Sequence, residues 1–105
     1  MSKSEFGLPE RTLIELHAIF SAFAKIDRAI VYGSRAIGNY HAGSDIDITL
    51  VGDELNLQDL GRIAGLIDDS AIPYKVDLSI FKYVDHQNLR DHIARVGKGL
   101  YEKKT

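Results

Sequence analysis

Ten residues separate the dipeptide Gly33-Ser34 from the triplet Asp45-Ile46-Asp47, and this pairing constrains the fold more than any other feature of the chain. The apolar run Ala29-Ile30-Val31-Tyr32 leads straight into the glycine, so the turn closes a buried strand. Asp45 to Val51 reads as a second strand, stopped by Gly52. Successive strand side chains point to opposite faces. Asp45 and Asp47 therefore share one face, while Ile46 and Ile48 turn the other way into a core. Lys75 to Phe81 alternates like a third strand and carries a third acid, Asp77. Three strands each deliver one element of a candidate site.

Two carboxylates side by side on a strand repel each other, and a divalent cation between them relieves the repulsion. Hard oxygen ligands suit Mg²⁺, which takes one or two carboxylates and fills its shell with waters and substrate phosphates. Ser34 to Ile37 can open a short helix whose free N–H groups and positive end face a phosphate. A metal pair beside such a turn is the apparatus of phosphoryl or nucleotidyl transfer. Asp-x-Asp is also a common chance string, and it gains meaning here only from the strands around it.

The remaining periodicity frames these strands with helices. Pro9 suits a first helical turn, and Leu13, Leu16, Phe20 and Phe23 extend an amphipathic helix over residues 9–25. Arg28 to Tyr32 is strand one. Leu57, Leu60, Ile63, Ala64 and Ile67 mark a helix starting near Asn56. Leu89, Ile93, Val96 and Leu100 mark a last helix, with Asp85 as candidate N-cap. The order αβαβαβα predicts an α/β (α+β) fold, a small mixed three-stranded sheet flanked by helices. Only the termini, Met1 to Phe6 and Glu102 to Thr105, read as frayed.

The segments Val31-Tyr32-Gly33-Ser34-Arg35-Ala36, Gly38-Asn39-Tyr40 and Gly43-Ser44-Asp45-Ile46-Asp47-Ile48, with Asp77 downstream, resemble the signature of DNA polymerase β-type nucleotidyltransferases. Within that superfamily the chain is similar to the minimal nucleotidyltransferase, or MNT, domains. The resemblance runs from the first helix to Gly99-Leu100-Tyr101-Glu102 and implies the nucleotidyltransferase fold. It implies Asp45, Asp47 and Asp77 as catalytic ligands of two Mg²⁺ ions, and Gly33 and Ser34 as contacts to the phosphates of ATP. Ile37 sits where many relatives carry a basic or small residue, so a phosphate contact from that side chain is missing. The resemblance further implies a HEPN-type helical partner, in a toxin–antitoxin pair where AMP is attached to a tyrosine of the HEPN ribonuclease.

Several neighbours keep two readings. Arg35 either meets the triphosphate or is a solvated or ion-paired helix side chain. Ser44 either hydrogen-bonds a ligand carboxylate or caps its loop, and the structural role is favoured. His41, in the loop between the turn and the acid pair, either reaches substrate or, as is more common for a lone loop histidine, is simply exposed. Lys75 shares a strand face with Asp77 and is placed to touch phosphate or that acid. His17, His86 and His92 receive no chemistry, and Lys98, Lys103 and Lys104 read as a solvated basic tail.

Composition bounds the rest. The 105 residues suit one domain, 1–105, with one core. A net charge of −2 speaks against a protein that grips nucleic acid through a general basic surface. The absence of cysteine excludes disulfides and thiolate chemistry and suits a reducing cytoplasm. No apolar run reaches bilayer length, and no signal-peptide core follows Met1-Ser2-Lys3-Ser4. One catalytic core without an acceptor domain predicts a homo- or hetero-oligomer. Two rival readings stand beside protein AMP transfer: an enzyme acting on a small-molecule hydroxyl, and a non-catalytic nucleotide-binding module.

Overall fold

The computed structural model describes residues 5–104. Its sheet has four strands in the order β3-β2-β1-β4, one more than the periodicity predicts. β1 (Arg28–Tyr32) pairs antiparallel with both β2 (Ile46–Val51) and β4 (Lys98–Glu102), and β2 pairs parallel with β3 (Val76–Ile80). The sheet is mixed, as expected. Met1 to Ser4 and Thr105, read as frayed, lie outside the described residues.

Both faces of the sheet are covered, though unequally. On one face α1 (Glu10–Ser21) and α3 (Leu57–Asp68) bury Leu16, Phe20, Ile63 and Ile67 against Ala29, Val31, Ile46, Ile48 and Leu50. On the other face the smaller α4 (Gln87–Val96) packs Ile93 against Ile30 and Tyr32. As an inner strand with both faces covered, β1 reads after Arg28 as an apolar run, Ala29 to Tyr32. Burying these side chains at about 25 cal/mol per Å² supplies the main driving force for folding.

Local sequence explains most boundaries. Asn56 caps α3 through a reciprocal box: its side chain accepts the Asp59 N–H at 2.9 Å, and Asp59 accepts the Asn56 N–H at 3.1 Å. Lys25 closes this end with a 3.1 Å ion pair to Asp59. α1 stops at Ser21 rather than at residue 25, because Ala22 and Phe23 tighten onto Ile19 and Phe20 and the chain turns towards β1. Pro9 is the N-cap of α1, one position before its first helical turn.

The fourth strand is the main correction. Leu100 continues the helical spacing of Leu89, Ile93 and Val96, yet α4 ends at Val96. A Cβ at Gly97 would lie 2.4 Å from the Ile93 carbonyl oxygen and 2.7 Å from Ile30, so only glycine lets the chain leave the helix there. The apparent stripe is then split by the sheet itself: Ile93 packs on the α4 side and Leu100 on the α1 side. The register of β1 with β4 shifts between Ala29 and Ile30, which are opposite Tyr101 and Gly99.

Smaller corrections follow the same logic. His86, not Asp85, takes the N-cap position of α4, and no side chain caps it. Phe81 leaves β3 to begin a short 3₁₀ turn, Phe81–Tyr83. Phe6 and Glu102 are not frayed: Phe6 packs on the core and Glu102 closes β4. Lys103 is exposed, yet it ties the chain back through its N–H to the Asp27 carbonyl at 2.8 Å. No helix among the described residues is long and apolar enough to cross a membrane.

Candidate active site

Strand pairing lays two of the three expected acids, Asp47 and Asp77, along one edge of the α4 face. Tyr32 on β1 stands opposite Asp47 on β2, and Asp47 stands opposite Asp77 on β3. A second row, Ile30, Thr49 and Ser79, lies directly behind the first. There the Ser79 hydroxyl donates to the buried Thr49 hydroxyl at 2.9 Å. Asp45 precedes β2 by one residue and is exposed, as is Asp77, whereas Asp47 between them is half-buried.

The electrostatics follow this arrangement. The Asp47 carboxyl is pushed above the ordinary 3.8, first by burial, then by the negative charges of Asp77 and Asp45, with His92 pulling the other way. The Tyr32 hydroxyl is likewise raised above 10.0, chiefly by burial; a hydrogen bond with Ser79 opposes this, while Asp47 and Asp77 add to it. Negative charge is therefore crowded around Asp47.

Gly33 is shaped by the same acid. Its φ of 75° lies in the left-handed region, and a Cβ there would sit 2.3 Å from Asp47 Oδ2. Glycine at this position thus admits both the turn and the Asp47 carboxylate. Ser34 opens the single-turn helix α2 (Ser34–Ile37), as expected, with Ala36 and Ile37 N–H groups closing on the Gly33 carbonyl.

Among the described residues no three His, Asp or Glu side chains gather tightly enough to hold a metal ion alone. The donors present nonetheless fit Mg²⁺. Asp47 and Asp77 are in-register carboxylates, the charge of Asp77 adds to the rise of the Asp47 carboxyl, and Mg²⁺ takes few protein ligands and the rest from water and phosphate.

Arg35 departs from the solvated reading of it: the residue is 3% exposed. Its guanidinium donates to the Ser44 carbonyl at 2.8 and 3.2 Å and to the Phe6 carbonyl at 2.9 Å. Tyr40 and Tyr74 flank it at 5.1 and 5.0 Å. The planar fork is spent on backbone carbonyls, pinning the loop before β2 to the N-terminal turn. Ser44 also acts within its loop, its hydroxyl accepting the His41 N–H at 3.0 Å. His41 and Lys75 are exposed, and among the described residues the ion pair present is Lys25–Asp59 rather than Lys75–Asp77.

A family model described as polymerase beta, nucleotidyltransferase matches residues 15–105. The chain belongs to the polymerase β nucleotidyltransferase family. No curated protein matches it. Solved structures share the nucleotidyltransferase fold. A chain of a toxin–antitoxin crystal structure with AMP-PNP is 26% identical, with a TM-score of 0.69 over 92% of this chain and 76% of that one. A Shewanella oneidensis complex of a tri-AMPylated HEPN toxin with MNT antitoxin gives 18% identity and a TM-score of 0.66, over 90% and 72% of the two chains. The MntA–HepT toxin–antitoxin structure also gives 18% and 0.66, over 90% and 74%. At 18% identity the last two speak for the fold alone.

Sequence reasoning missed two residues that the fold of this nucleotidyltransferase brings beside the candidate acids. Tyr32 ends the first strand and becomes part of the acidic row only through its pairing with Asp47. His92, which has no ligand spacing in the sequence, accepts the Gly33 N–H at 3.2 Å through Nε2. Its spacing from Leu89 places it on the sheet-facing flank of α4, and that was the available signal.

Proposed function

We propose that this nucleotidyltransferase moves AMP from ATP to a hydroxyl, and that the acceptor is a tyrosine of a HEPN-type helical protein. The observation that carries the reading is the register of Asp47 with Asp77, beside a glycine turn that the Asp47 carboxylate touches. The toxin–antitoxin structure with AMP-PNP, 26% identical, supports ATP as donor and a toxin partner as acceptor, and the MNT resemblance names the HEPN class.

In this reading Asp45, Asp47 and Asp77 would hold two Mg²⁺ ions. Bound there, the ions would ease loss of the acceptor proton and offset the charge of the triphosphate and departing pyrophosphate. The Gly33–Ser34 turn holds the phosphates of the donor. Asp77, exposed on its edge strand, takes the acceptor's proton. The acceptor oxygen bonds to the α-phosphorus, and the bond from that phosphorus to the α–β bridging oxygen breaks. Positioning and charge neutralisation carry the catalysis, as in phosphoryl transfer generally.

Incubation with α-labelled ATP, Mg²⁺ and a HEPN-type helical protein, followed by mass spectrometry, tests this. AMP on a tyrosine of the partner is the expected result. Labelling of a small-molecule hydroxyl instead, or nucleotide binding without any transfer, overturns it.

A further inference from the structure

We propose that His92 is a positioning residue of the nucleotide site: its imidazole Nε2 accepts the Gly33 N–H and thereby holds the Gly33–Ser34 turn in the shape that meets phosphate. The proposal deepens the reading above and rests on it for the role of that turn.

The turn needs a restraint. Gly33 sits at φ 75° and ψ −154°, a conformation glycine enters and leaves at little steric cost. One side of the turn is bounded by the Asp47 carboxylate, which fills the place of a Cβ. The other side is held by His92, from 59 residues further along the chain. Gly33 is thus gripped between β2 and α4, and the shape of the turn depends on where α4 sits.

His92 is itself well placed to act as a fixed acceptor. Its ring meets Tyr32 edge-on, with centroids 6.1 Å apart and planes at 80°. The adjacent Ile93 is buried between Ile30 and Tyr32. Arg90, one turn earlier than Ile93, donates to the carbonyls of Phe81 and Val84 at 3.0 and 2.7 Å and stacks on Phe81 at 4.2 Å. α4 is therefore anchored on both sides of the histidine. The lone pair on Nε2 takes the Gly33 N–H at 3.2 Å.

The consequence is preorganisation. A turn already fixed in its bound shape spares the ordering cost when nucleotide arrives. Without the acceptor, the glycine samples other conformations and the Ser34 hydroxyl moves with it.

His92→Phe keeps a ring against Tyr32 and removes the acceptor, while His92→Gln restores an acceptor of similar reach. The readouts are amide hydrogen exchange at Gly33 by NMR and the affinity for magnesium AMP-PNP by calorimetry. In His92→Phe, exchange at Gly33 is expected to quicken about tenfold and the Kd to rise about five- to tenfold, as for one neutral hydrogen bond. His92→Gln is expected to recover both. Unchanged Gly33 exchange in His92→Phe overturns the proposal, as does equal impairment of both variants, which would mark plain packing. If His92→Phe does not fold, His92→Asn, too short to reach, is read in the same way. A wild-type protein that binds no AMP-PNP would defeat the nucleotide reading, whereas Gly33 exchange still decides the histidine contact.

Discussion

Asp47 on β2 and Asp77 on β3 face each other in register across a parallel strand pair, and the Asp47 carboxylate also rests against Gly33. One side chain therefore joins the acidic row to the glycine turn. Its carboxyl is raised above 3.8 by burial and by its two acidic neighbours, so the folded state binds that proton more tightly than the unfolded chain. The resulting stability is present at low pH and lost as pH rises through the raised value.

Asp47→Asn is accordingly expected to raise the metal-free Tm at pH 7, with the gain shrinking as pH falls towards 3.8. Transfer should fall by about a hundredfold or more. Mg²⁺ should raise the Tm of the wild type and not of the variant. Thermal scans against pH and Mg²⁺ check this, and a variant that responds to Mg²⁺ like the wild type would contradict it.

Asp59 behaves in the opposite sense. The Lys25 hydrogen bond, helped by the Asn56 N–H and opposed by burial, holds its carboxyl below 3.8. That contribution is present above pH 3.8 and lost as pH falls through the lowered value. Asp59→Asn is expected to flatten the acid arm of the stability profile. Asn56→Ala should cost about 1 kcal/mol in urea unfolding, through loss of the cap.

Arg35→Lys is expected to destabilise the fold by about 2–4 kcal/mol, measured by denaturant unfolding. A lysine point charge cannot serve the Ser44 and Phe6 carbonyls together, nor stack between Tyr40 and Tyr74. A variant as stable as the wild type would show that the buried guanidinium contributes nothing to the loop.

Ser34→Ala separates binding from folding. Calorimetry with magnesium AMP-PNP should show affinity reduced about tenfold, the value of one hydrogen bond to a charged group. The Tm should stay within about 2 °C of the wild type. Unchanged affinity would return Ser34 to a purely local role at the start of α2.

The sequence by itself determined the parts of this protein that local chemistry decides. Gly33, with Tyr32 before it and Ser34 after it, marks the end of β1 and the start of α2 at their observed positions. Asn56 and Asp59 announce α3 through their own reciprocal hydrogen bonds. The alternation of β2 and of β3 marks Asp47 and Asp77 as candidates, because a period of two is a property of each strand alone, while Asp45 lies one residue before β2.

Only the tertiary structure decided what depends on partners distant in the chain. β4 was hidden because Leu100 matches the helical spacing of Ile93, and spacing cannot tell which face of a sheet a side chain will reach. Arg35 looked equally suited to phosphate or solvent until two tyrosines and distant carbonyls enclosed it. His92 gained a role through a bond spanning 59 residues, and Tyr32 through its place opposite Asp47. Hydrogen bonding and burial of this kind are set by the packing of whole elements, which no local period encodes.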